Sequence, residues 1–574
     1  MRRLLRLDAQ EAFSFEILRH SVDARRKPDL YDVYTVSVTL QSPGRERRVL
    51  SGCRNQNVQP YEPVLYRYAH VHEADQYAHV READACAENA VSAGGSLAAE
   101  DRPVIVGTGP AGLFCGLLLA RCGMKPVLIE RGQRARDRSR TVQSFWEGGS
   151  LDPESNVQFG EGGAGTFSDG KLNTGIKDPD GRIRFILQTF VEAGADPSIL
   201  YESHPHVGTD VLTKVVTHMT DEILERGGEV YFNTRLASLV QKGQGKWELN
   251  CIRTENDGLI KRQETVRFGS SRVVLAIGHS ARDTFRMLEA QGIRMRPKAF
   301  AVGLRIQHPQ ALIDRAMVGE GAPDFLPPSP YKLTHRLPGG GGVYSFCMCP
   351  GGYVVNASSE KEMTAVNGMS FHDRASGIAN SAVVVTVMPE EIASYMQQST
   401  GQGGDVLLGM EFQRQLERAA FLEGGGAIPV QRVDDFRQNE ISDRPLPDAI
   451  AVMGAYQKGN LRRILPEKVA CGIEEGILSW ERQIEGFASP EAVLAGVESR
   501  TSSPVRIERG DTLQAVCHPG LYPCGEGAGY AGGITSAAAD GLRVAEAILD
   551  AVPDHPVTVH RPASDLLHEF CGHN

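Results

Sequence analysis

The sequence predicts an α/β fold with a Rossmann-type nucleotide-binding domain, an inserted antiparallel-sheet cap domain and a small α+β N-terminal domain. Three observations favour this fold. Strand-like and helix-like segments alternate from residue 102 to about residue 288, and the alternation returns near residue 521. Between these regions, apolar segments follow one another with little helix, which is typical of an antiparallel sheet. The first 90 residues contain apolar residues at a period of two, which indicates strands.

These patterns also set the expected domain boundaries. Residues 1–90 form the N-terminal domain, and a stretch rich in Gly and Ala after it is typical of a linker. Residues 100–290 and 495–555 form a discontinuous Rossmann domain, and residues 291–494 form the cap.

Composition and charge exclude several classes of protein. The chain has 574 residues, of which 41% are apolar and 23% charged, which is ordinary for a folded protein rather than a disordered or fibrous one. The net charge of −10 argues against a general nucleic-acid partner. No apolar run is long enough to span a bilayer, so no membrane partner is expected. The 11 cysteines lack the spacing of secreted proteins, so a cytoplasmic location is expected.

The strongest pattern in the sequence predicts a dinucleotide-binding turn. An apolar strand leads into the pattern G-x-G-x-x-G, and a helix follows at once. Gly107 permits the sharp turn, Gly109 lets a pyrophosphate approach the backbone, and Gly112 lets the helix pack close to the strand. Pro110 and Ala111 lie in the first helical turn, whose unpaired N–H groups and dipole attract phosphate.

A second strand ends at an acidic residue, Glu130, about eighteen residues after the last glycine of the turn. Such a carboxylate accepts hydrogen bonds from an adenosine ribose and repels a 2′-phosphate, so FAD or NAD is favoured over NADP. Arg131 follows it and is included in the predicted cofactor site. The alternative is a βαβ unit without a ligand, which the combination of strand, helix, second strand and acid disfavours.

The C-terminal region favours FAD. Gly525 and Glu526 lie in a glycine-rich turn after a short apolar strand, and an Ala-rich helix begins near Gly533, with Ile534 and Thr535 after it. This segment resembles the second FAD motif of two-motif flavoproteins. The resemblance implies that Glu526 holds a ribityl hydroxyl. It also implies that the helix N-terminus faces the flavin N1 edge, where it would stabilise the negative charge of reduced flavin.

Two further segments resemble parts of the same FAD-binding domain. Residues 273–279 resemble a strand that passes close to FAD at a terminal glycine, here Gly278, and His279 is interpreted as an ordinary loop histidine. Residues 230–236 resemble the strand whose backbone meets adenine, which includes Leu236 in the expected site.

Taken together, the chain resembles the FAD-dependent dehydrogenases of the superfamily that contains fumarate-reductase flavoproteins. It more closely resembles a poorly characterised bacterial family of FAD-dependent oxidoreductases with a small N-terminal domain. The matching segments are residues 23–27, 159–172, 206–210, 346–352, 367–370 and 500–506. Because relatives begin with a further strand and helix, the N-terminal module is expected to be truncated or to start upstream.

This resemblance implies that a loop of small residues lies against the flavin. Ser168, Gly170, Lys171 and Leu172 would then contact FAD. Small residues let backbone N–H groups reach the flavin, and Lys171 can neutralise a phosphate or the reduced flavin. The alternative is a surface glycine loop with a solvated lysine.

Less specific patterns lie in the cap. Gly351 and Gly352 separate two apolar segments, which predicts a hairpin. Cys347 and Cys349 would share one face of a strand, and buried thiols are preferred over a thiol that relays electrons to the flavin.

No metal site is predicted. His204 and His206 could form a metal pair, but no third ligand stands out nearby. Lys171, His335 and Arg374 are weak candidates for handling a proton, and the catalytic residue is left unassigned.

The sequence thus predicts an FAD-dependent oxidoreductase that transfers a hydride between flavin N5 and a small substrate under the cap. Neither Gly339–Gly342 nor Gly424–Gly426 begins a second nucleotide-binding fold, so NAD(P)H is expected only as a transient electron donor. Two alternatives stay open: a flavoprotein that acts in RNA modification or in a partner complex, and a protein that binds FAD without catalysis. The oligomeric state is not predicted.

Overall fold

The structure is a computed structural model that describes residues 1–68 and 102–552, except residues 244, 258–259, 322, 324, 401–404 and 449. The predicted linker and the end of the predicted N-terminal domain lie outside the described residues. The helices are α1 (Arg2–Leu5), α2 (Pro43–Gly52), α3 (Pro110–Arg121), α4 (Ala135–Trp146), α5 (Arg182–Glu192), α6 (Thr209–Glu225), α7 (Arg282–Ala290), α8 (Gln310–Val318), α9 (Pro389–Thr400), α10 (Leu408–Glu423), α11 (Val433–Gln438), α12 (Glu467–Trp480) and α13 (Ile534–Asp550). Of the helices in the described ranges, none has the length and apolar character needed to cross a bilayer.

The strands found in the described residues belong to six sheets. They are β1 (Phe13–Arg26), β2 (Asp29–Leu40), β3 (Val104–Val106), β4 (Val127–Ile129), β5 (Glu229–Tyr231), β6 (Thr234–Gly243), β7 (Lys246–Asp257), β8 (Ile260–Ser270), β9 (Val273–Leu275), β10 (Met295–Pro297), β11 (Phe300–Pro309), β12 (Thr334–Arg336), β13 (Gly342–Cys349), β14 (Tyr353–Asn356), β15 (Val366–Met369), β16 (Ile378–Val387), β17 (Ile428–Arg432), β18 (Val452–Met453), β19 (Tyr456–Lys458), β20 (Val493–Glu498), β21 (Val505–Ile507) and β22 (Leu521–Pro523).

A five-stranded parallel sheet, here called the Rossmann sheet, has the strand order β22-β9-β3-β4-β5. Ile105 and Leu128 pack against helices α3, α6 and α13, whereas alternate residues such as Val106 face the three-stranded sheet β6-β7-β8. Helices α3 and α13 approach closely, since a Cβ at Gly541 would lie 2.2 Å from the Ala111 carbonyl oxygen. The parallel order confirms the predicted Rossmann-type fold.

A seven-stranded sheet, here called the cap sheet, has the order β12-β13-β16-β11-β20-β17-β19. Its longest pairing joins β11 and β16, from Phe300 opposite Val387 to Pro309 opposite Ile378. The pairing is antiparallel except at the edge, where β17 and β19 are parallel. The predicted antiparallel cap is therefore confirmed, with a parallel pair at one edge.

The hairpin predicted at Gly351 and Gly352 is wrong. Strand β13 pairs with β12 and β16, whereas β14 pairs with β15 and β18 in a separate sheet. The two glycines lead the chain from one sheet to the other past a close backbone neighbour. A Cβ at Gly351 would lie 1.7 Å from the Arg374 carbonyl oxygen. Both the close approach of two backbones and the positive φ of +51° at Gly351 require glycine there.

The expected cap boundary at residue 494 cuts through β20. This strand pairs with β11 on one side and with β17 on the other. We therefore propose that the cap extends to Glu498 and that the chain returns to the Rossmann domain after it.

The N-terminal segment contains a long hairpin of β1 and β2 joined by a two-residue turn. In β1, the His20 N–H donates to the Tyr201 carbonyl at 2.7 Å, and the Ser203 N–H donates to the His20 carbonyl at 2.9 Å. At the tip, the Lys27 ammonium donates to the carbonyl of Ala316 in the cap helix α8. The hairpin thus contacts both the Rossmann region and the cap.

Candidate active site

One cleft lies between the carboxyl edge of the Rossmann sheet and the cap sheet. The turns after β3, β9 and β22 and the end of β4 form one side, here called the Rossmann wall. Residues from or next to β13, β15 and β20 form the other side, here called the cap wall. The cleft encloses about 1540 Å³, part of it open to solvent. A sheet of this type binds its ligand outside the carboxyl ends of the strands, which is where the cleft lies.

Most of the predicted cofactor residues line this cleft. They are Gly107, Gly109, Pro110, Ala111, Glu130, Arg131, Ser168, Gly170, Lys171, Leu236, Gly278, Glu526, Gly533 and Ile534. The other predicted residues, Gly112, Leu172, Gly525 and Thr535, lie behind its surface. The structure therefore brings together two glycine motifs that are about 420 residues apart in the sequence.

The glycines of the first motif have two different roles. Gly107 has a φ of +103°, and a Cβ there would lie 2.3 Å from the Ala276 carbonyl oxygen. A Cβ at Gly112 would lie 1.9 Å from the Gly107 carbonyl oxygen. The packing of the protein itself thus requires both. At Gly109, by contrast, a Cβ would meet only Gly163, at 3.8 Å, and the residue borders the cleft. Gly109 leaves space for a ligand.

Helices α3 and α13 both begin at the cleft. Their N-cap residues, Gly109 and Gly533, provide no side-chain cap. A Cβ at Gly533 would meet nothing within 4 Å. The first N–H groups of each helix are thus available to a ligand, and the helix dipole favours negative charge there.

Glu130 is buried, and protein groups already occupy its carboxylate. Oε2 accepts hydrogen bonds from the N–H and the hydroxyl of Thr108, both at 2.9 Å. Oε1 accepts from the N–H groups of Gly132 at 2.9 Å and Gly160 at 3.0 Å. Glu130 therefore fixes the glycine turn against a neighbouring loop, and its contact with a ribose stays a prediction.

Arg131 lies beside this carboxylate and is ion-paired. It contacts Glu154 and Asp283, each at 2.9 Å. Arg235, which also lines the cleft, contacts the same two carboxylates at 3.3 Å. The two arginines and two acids form a closed set of charges at one end of the cleft.

Glu526 faces the cleft from the turn after β22. Burial raises its pKa to about 7, and Lys298 opposes part of this effect. His279 Nε2 lies 3.8 Å from its Oε1, and burial lowers the pKa of that histidine to about 3. His279 lies in the loop after β9 and lines the cleft as a neutral imidazole, and its interpretation as a loop histidine rather than a base stays a prediction.

Asp169 organises the loop of small residues. Its buried carboxylate accepts hydrogen bonds from the Ser370 hydroxyl at 2.7 Å and from the Arg374 guanidinium at 2.9 Å. His206 and Lys171 lie at 3.5 and 3.8 Å. Burial would raise the pKa of Asp169, but these three basic groups outweigh it and hold the pKa well below its usual range. Arg374, named above as a candidate for handling a proton, thus forms an ion pair with the buried carboxylate of Asp169.

The same loop contacts both the cap and the second glycine motif. The Lys171 ammonium donates to the Met348 carbonyl at the end of β13. Thr535, in the first turn of α13, donates its hydroxyl proton to the Leu172 carbonyl at 2.7 Å. Leu172 and Thr535 therefore connect the loop to the start of α13 from behind the lining, whereas Lys171 connects it to the cap.

The cap wall contains residues that the sequence did not single out as a site. They are Phe346, Cys347, Asn367, Gly368, Glu498, Arg500 and Thr501. Cys347 has a φ of +42° at a register shift between β13 and β16, so its thiol faces the cleft while Cys349 stays buried. The expectation of two buried thiols on one face is wrong. Protein encloses this part of the cleft and raises the pKa of Cys347 to about 12.

The remaining histidine candidates lie elsewhere. His335 contacts Glu475 at 2.9 Å and does not line the cleft. His204 contacts the Asn173 side chain at 3.1 Å. Within residues 1–68 and the described part of 102–552, no group of three or more His, Cys, Asp or Glu residues is arranged to hold a metal ion.

Comparison with known proteins identifies the family. Residues 102–257 match the FAD binding domain, and residues 299–501 match the family described as FAD-dependent protein, C-terminal domain-like. A protein from Clostridium beijerinckii (strain ATCC 51743 / NCIMB 8052), described as an uncharacterized protein, is 41% identical over 550 residues, which are 95% of this chain and 94% of that protein. The chain belongs to this family of FAD-dependent proteins. FAD is therefore the cofactor, and the protein is a flavoprotein.

Solved structures of flavoproteins are also similar to this chain. The flavin-dependent halogenase CmlS is 14% identical with a TM-score of 0.33, over 81% of this chain and 60% of that chain. A glycerol-3-phosphate dehydrogenase from Bacillus halodurans complexed with FAD is 12% identical with a TM-score of 0.35, over 81% of this chain and 66% of that chain. This chain thus spans roughly two thirds of their length or less.

The cleft residues of this chain fit FAD. The space at Gly109 and Gly533 would be filled by a Cβ, and both helices begin there without side-chain caps. A dinucleotide needs close backbone approach at its pyrophosphate, and such helix ends favour it.

Proposed function

We propose that the protein is an FAD-dependent oxidoreductase that transfers a hydride between flavin N5 and a small substrate held against the cap wall. The observation that supports this is the shared cleft: both glycine motifs border one side and polar residues of the cap sheet border the other. A redox flavin acts on a substrate that is held next to it in a site shielded from bulk water. The cap sheet offers such a cover.

The residues of the Rossmann wall would hold the cofactor in a definite order. We expect the pyrophosphate at the start of α3, next to Gly109, and the flavin at the start of α13, next to Gly533. Glu526 would bind the ribityl chain, and the loop around Gly170 would lie along the flavin. When bound, FAD supplies a two-electron acceptor or donor. The protein binds it, orients it and limits the access of water.

NAD(P)H remains a proposed transient donor. In the structure, residues 339–341 lie in the turn between β12 and β13, Gly342 begins β13, and Gly424 is the C-cap of α10. Neither segment is a turn from a strand into a helix. A nicotinamide donor would thus have to reach the flavin through the same cleft as the substrate.

The test begins with the absorption spectrum of the purified protein and mass spectrometry of the ligand that it releases. We expect a flavin spectrum and the mass of FAD, followed by bleaching in anaerobic stopped-flow experiments with NADH, NADPH or dithionite. A protein that neither contains nor takes up FAD contradicts the cofactor assignment. A protein that holds FAD which no reductant bleaches contradicts the oxidoreductase function.

A further inference from the structure

A single buried arginine organises the cap wall. Arg305, on β11, is completely buried, and its Nε–H donates to Glu498 Oε2 at 2.9 Å. Its Nη1 donates to Asn380 Oδ1 at 2.6 Å, and both Nη groups donate to the Cys347 carbonyl at 3.1–3.2 Å. A longer contact of 3.4 Å reaches Asn367 Oδ1. Arg305 thus fixes three cleft-lining residues that come from three different strands.

Glu498 is the exceptional member of this cluster. Glu498 is only 3% exposed, yet it lines the cleft. Arg305 occupies Oε2, whereas no residue in the described part of the chain donates to Oε1. A buried carboxylate normally has all its oxygens satisfied, so the free Oε1 is a place for a hydrogen bond from a ligand.

Glu417, in the same region, differs from Glu498 because protein groups pair with both of its carboxylate oxygens. It is fully buried and accepts hydrogen bonds from Arg282 at 2.8 and 2.9 Å, from Arg500 at 2.7 and 2.9 Å, and from the Ser499 hydroxyl at 2.6 Å. Burial would raise the pKa of Glu417, but the two guanidinium groups hold it well below its usual range. Glu417 has neither a free oxygen nor a proton to exchange near neutral pH.

The charges around Glu498 also indicate which ligand groups it can meet. On the cap wall, the Arg500 guanidinium is engaged by Glu417 and by the hydroxyl groups of Ser280 and Ser359. The Lys171 ammonium is engaged by a backbone carbonyl. Hence no cation next to Glu498 is free for an anionic substrate group among the described residues. A hydroxyl or amino group, which donates a hydrogen bond, matches the free oxygen.

We propose that Glu498 exchanges the proton that accompanies the redox reaction, and that Arg305 is its positioning residue. The proposal rests on the proposed function. In the oxidation of a substrate with a hydroxyl or amino group on the reacting carbon, the O–H or N–H bond breaks, its proton passes to Glu498 Oε1, and its electron pair forms the new double bond to carbon. The hydrogen on carbon leaves as the hydride already assigned to FAD. Atoms and electrons balance without another reactant.

The electrostatics of the cluster agree with this role. Burial raises the pKa of Glu498 above its ordinary value, and Arg305 offsets only part of this because its N–H groups also serve Cys347, Asn380 and Asn367. The other titratable groups that face the pair are the thiols of β13 and the buried hydroxyl of Tyr331, whose pKa burial raises well above its ordinary value. The protein that encloses the cleft raises the pKa of the Cys347 thiol to about 12, and burial raises the pKa of the Cys349 thiol to about 11. Neither thiol titrates near neutral pH.

The test is the midpoint potential of the bound FAD as a function of pH in the holoprotein. Wild type and Glu498→Gln are compared, with Glu475→Gln on helix α12, away from the cleft, as the control. We expect wild type and the control to show an inflection above the ordinary glutamic acid value of 4.5 that Glu498→Gln lacks. Glu526 is present in all three proteins, so its contribution cancels in the comparison. Parallel curves for wild type and Glu498→Gln would overturn the proposal.

Two more variants keep the test decisive. If Glu498→Gln does not fold, Glu498→Asp retains a titrating carboxyl: an inflection that moves in pH supports the proposal, and an unchanged one overturns it. Arg305→Lys should move the inflection to higher pH, because the forked guanidinium no longer stabilises the carboxylate. A wild-type protein without FAD would count against the proposed function instead, so the two failures are distinguishable.

Discussion

The two walls of the cleft differ in the use they make of main-chain groups and of side chains. The Rossmann wall borders the cleft with main chain at two glycine turns and at the first N–H groups of two helices. The cap wall borders the cleft with side chains, and a buried arginine holds two of them, Glu498 and Asn367, in place. A wall made of backbone suits a cofactor with fixed phosphates, whereas a wall made of side chains can be adapted to one substrate.

The difference also explains which wall could be recognised in the sequence. Backbone contact demands glycine within a few residues, so Gly107, Gly109 and Gly112 form a local pattern. Arg305 and Glu498 are 193 residues apart, and only the strand order of the cap sheet makes them neighbours. No spacing in the sequence could show that pairing.

The largest expected effect comes from breaking the Rossmann wall at Gly109. Because a Cβ there borders the cleft and meets little protein, Gly109→Val should fold normally and block phosphate approach. We expect FAD affinity to fall by about 100-fold or more, comparable to losing one or two charge-assisted hydrogen bonds to phosphate. Titration of the apoprotein with FAD, followed by fluorescence, measures it.

Two other glycines provide controls for this variant. Gly269→Val, on an exposed strand where a Cβ meets nothing within 4 Å, should bind FAD like wild type. Gly112→Ala should instead lower the free energy of unfolding, because its Cβ would collide with the Gly107 carbonyl. If Gly109→Val binds FAD with the affinity of wild type, the proposed position of the pyrophosphate beside Gly109 is contradicted.

The next largest effect, on stability, is expected in the buried cluster of Glu417, Arg282 and Arg500. Glu417→Gln leaves Arg282 and Arg500 without their buried counter-charge, and we expect a loss of about 3–5 kcal/mol in the free energy of unfolding. Since the pKa of Glu417 is lowered in the folded protein, its stabilisation is complete above the unfolded value of 4.5 and declines as the pH falls below it. Urea denaturation of both proteins at neutral and acidic pH should show the difference shrinking on acidification. A constant difference would contradict the pairing.

A smaller effect is expected at Glu526. With a pKa of about 7, its carboxylate gains a proton as the pH falls through neutrality and becomes a poorer acceptor for a ribityl hydroxyl. FAD affinity of wild type should therefore fall by about tenfold between mildly alkaline and mildly acidic pH, which is the scale of one hydrogen bond to a charged group. Glu526→Gln should bind FAD more weakly at high pH and show little pH dependence. Equal pH dependence in both proteins would exclude Glu526 from this role.

The smallest effect is expected at the hairpin that touches both regions. His20 contacts Asp32 at 2.9 Å and Glu202 at 2.8 Å, and these carboxylates raise the pKa of the histidine. The contribution to docking is complete below the unfolded value of 6.5 and is lost as the pH rises through the raised value. We expect about 1 kcal/mol or less, seen as faster amide exchange in β1 at alkaline pH. His20→Gln should abolish this dependence, and His335→Gln should keep it.

The sequence predicted the Rossmann fold because its first glycine motif is local: Gly107 and Gly112 meet a steric demand of neighbouring backbone, and Gly109 leaves space at the start of the helix. The binding of FAD by these residues stays a prediction. The sequence did not predict the thiol of Cys347 in the cleft, because a register shift breaks the alternation of β13. The sequence also wrongly predicted a hairpin at Gly351 and Gly352. A glycine that is needed where two backbones approach closely cannot be distinguished, in the sequence, from a glycine in a hairpin turn. The sequence also could not show the hydrogen bonds of Glu130. Its carboxylate, which was predicted to accept hydrogen bonds from a ribose, accepts four from protein groups.

The crystal structure of the protein with FAD tests the central claim most directly. We expect one FAD in the cleft, with its pyrophosphate at the start of α3 beside Gly109 and its flavin ring at the start of α13 beside Gly533. The ring should also lie across the cleft from Glu498. An FAD that contacts only one of the two glycine motifs, or that binds outside the cleft, would contradict the account.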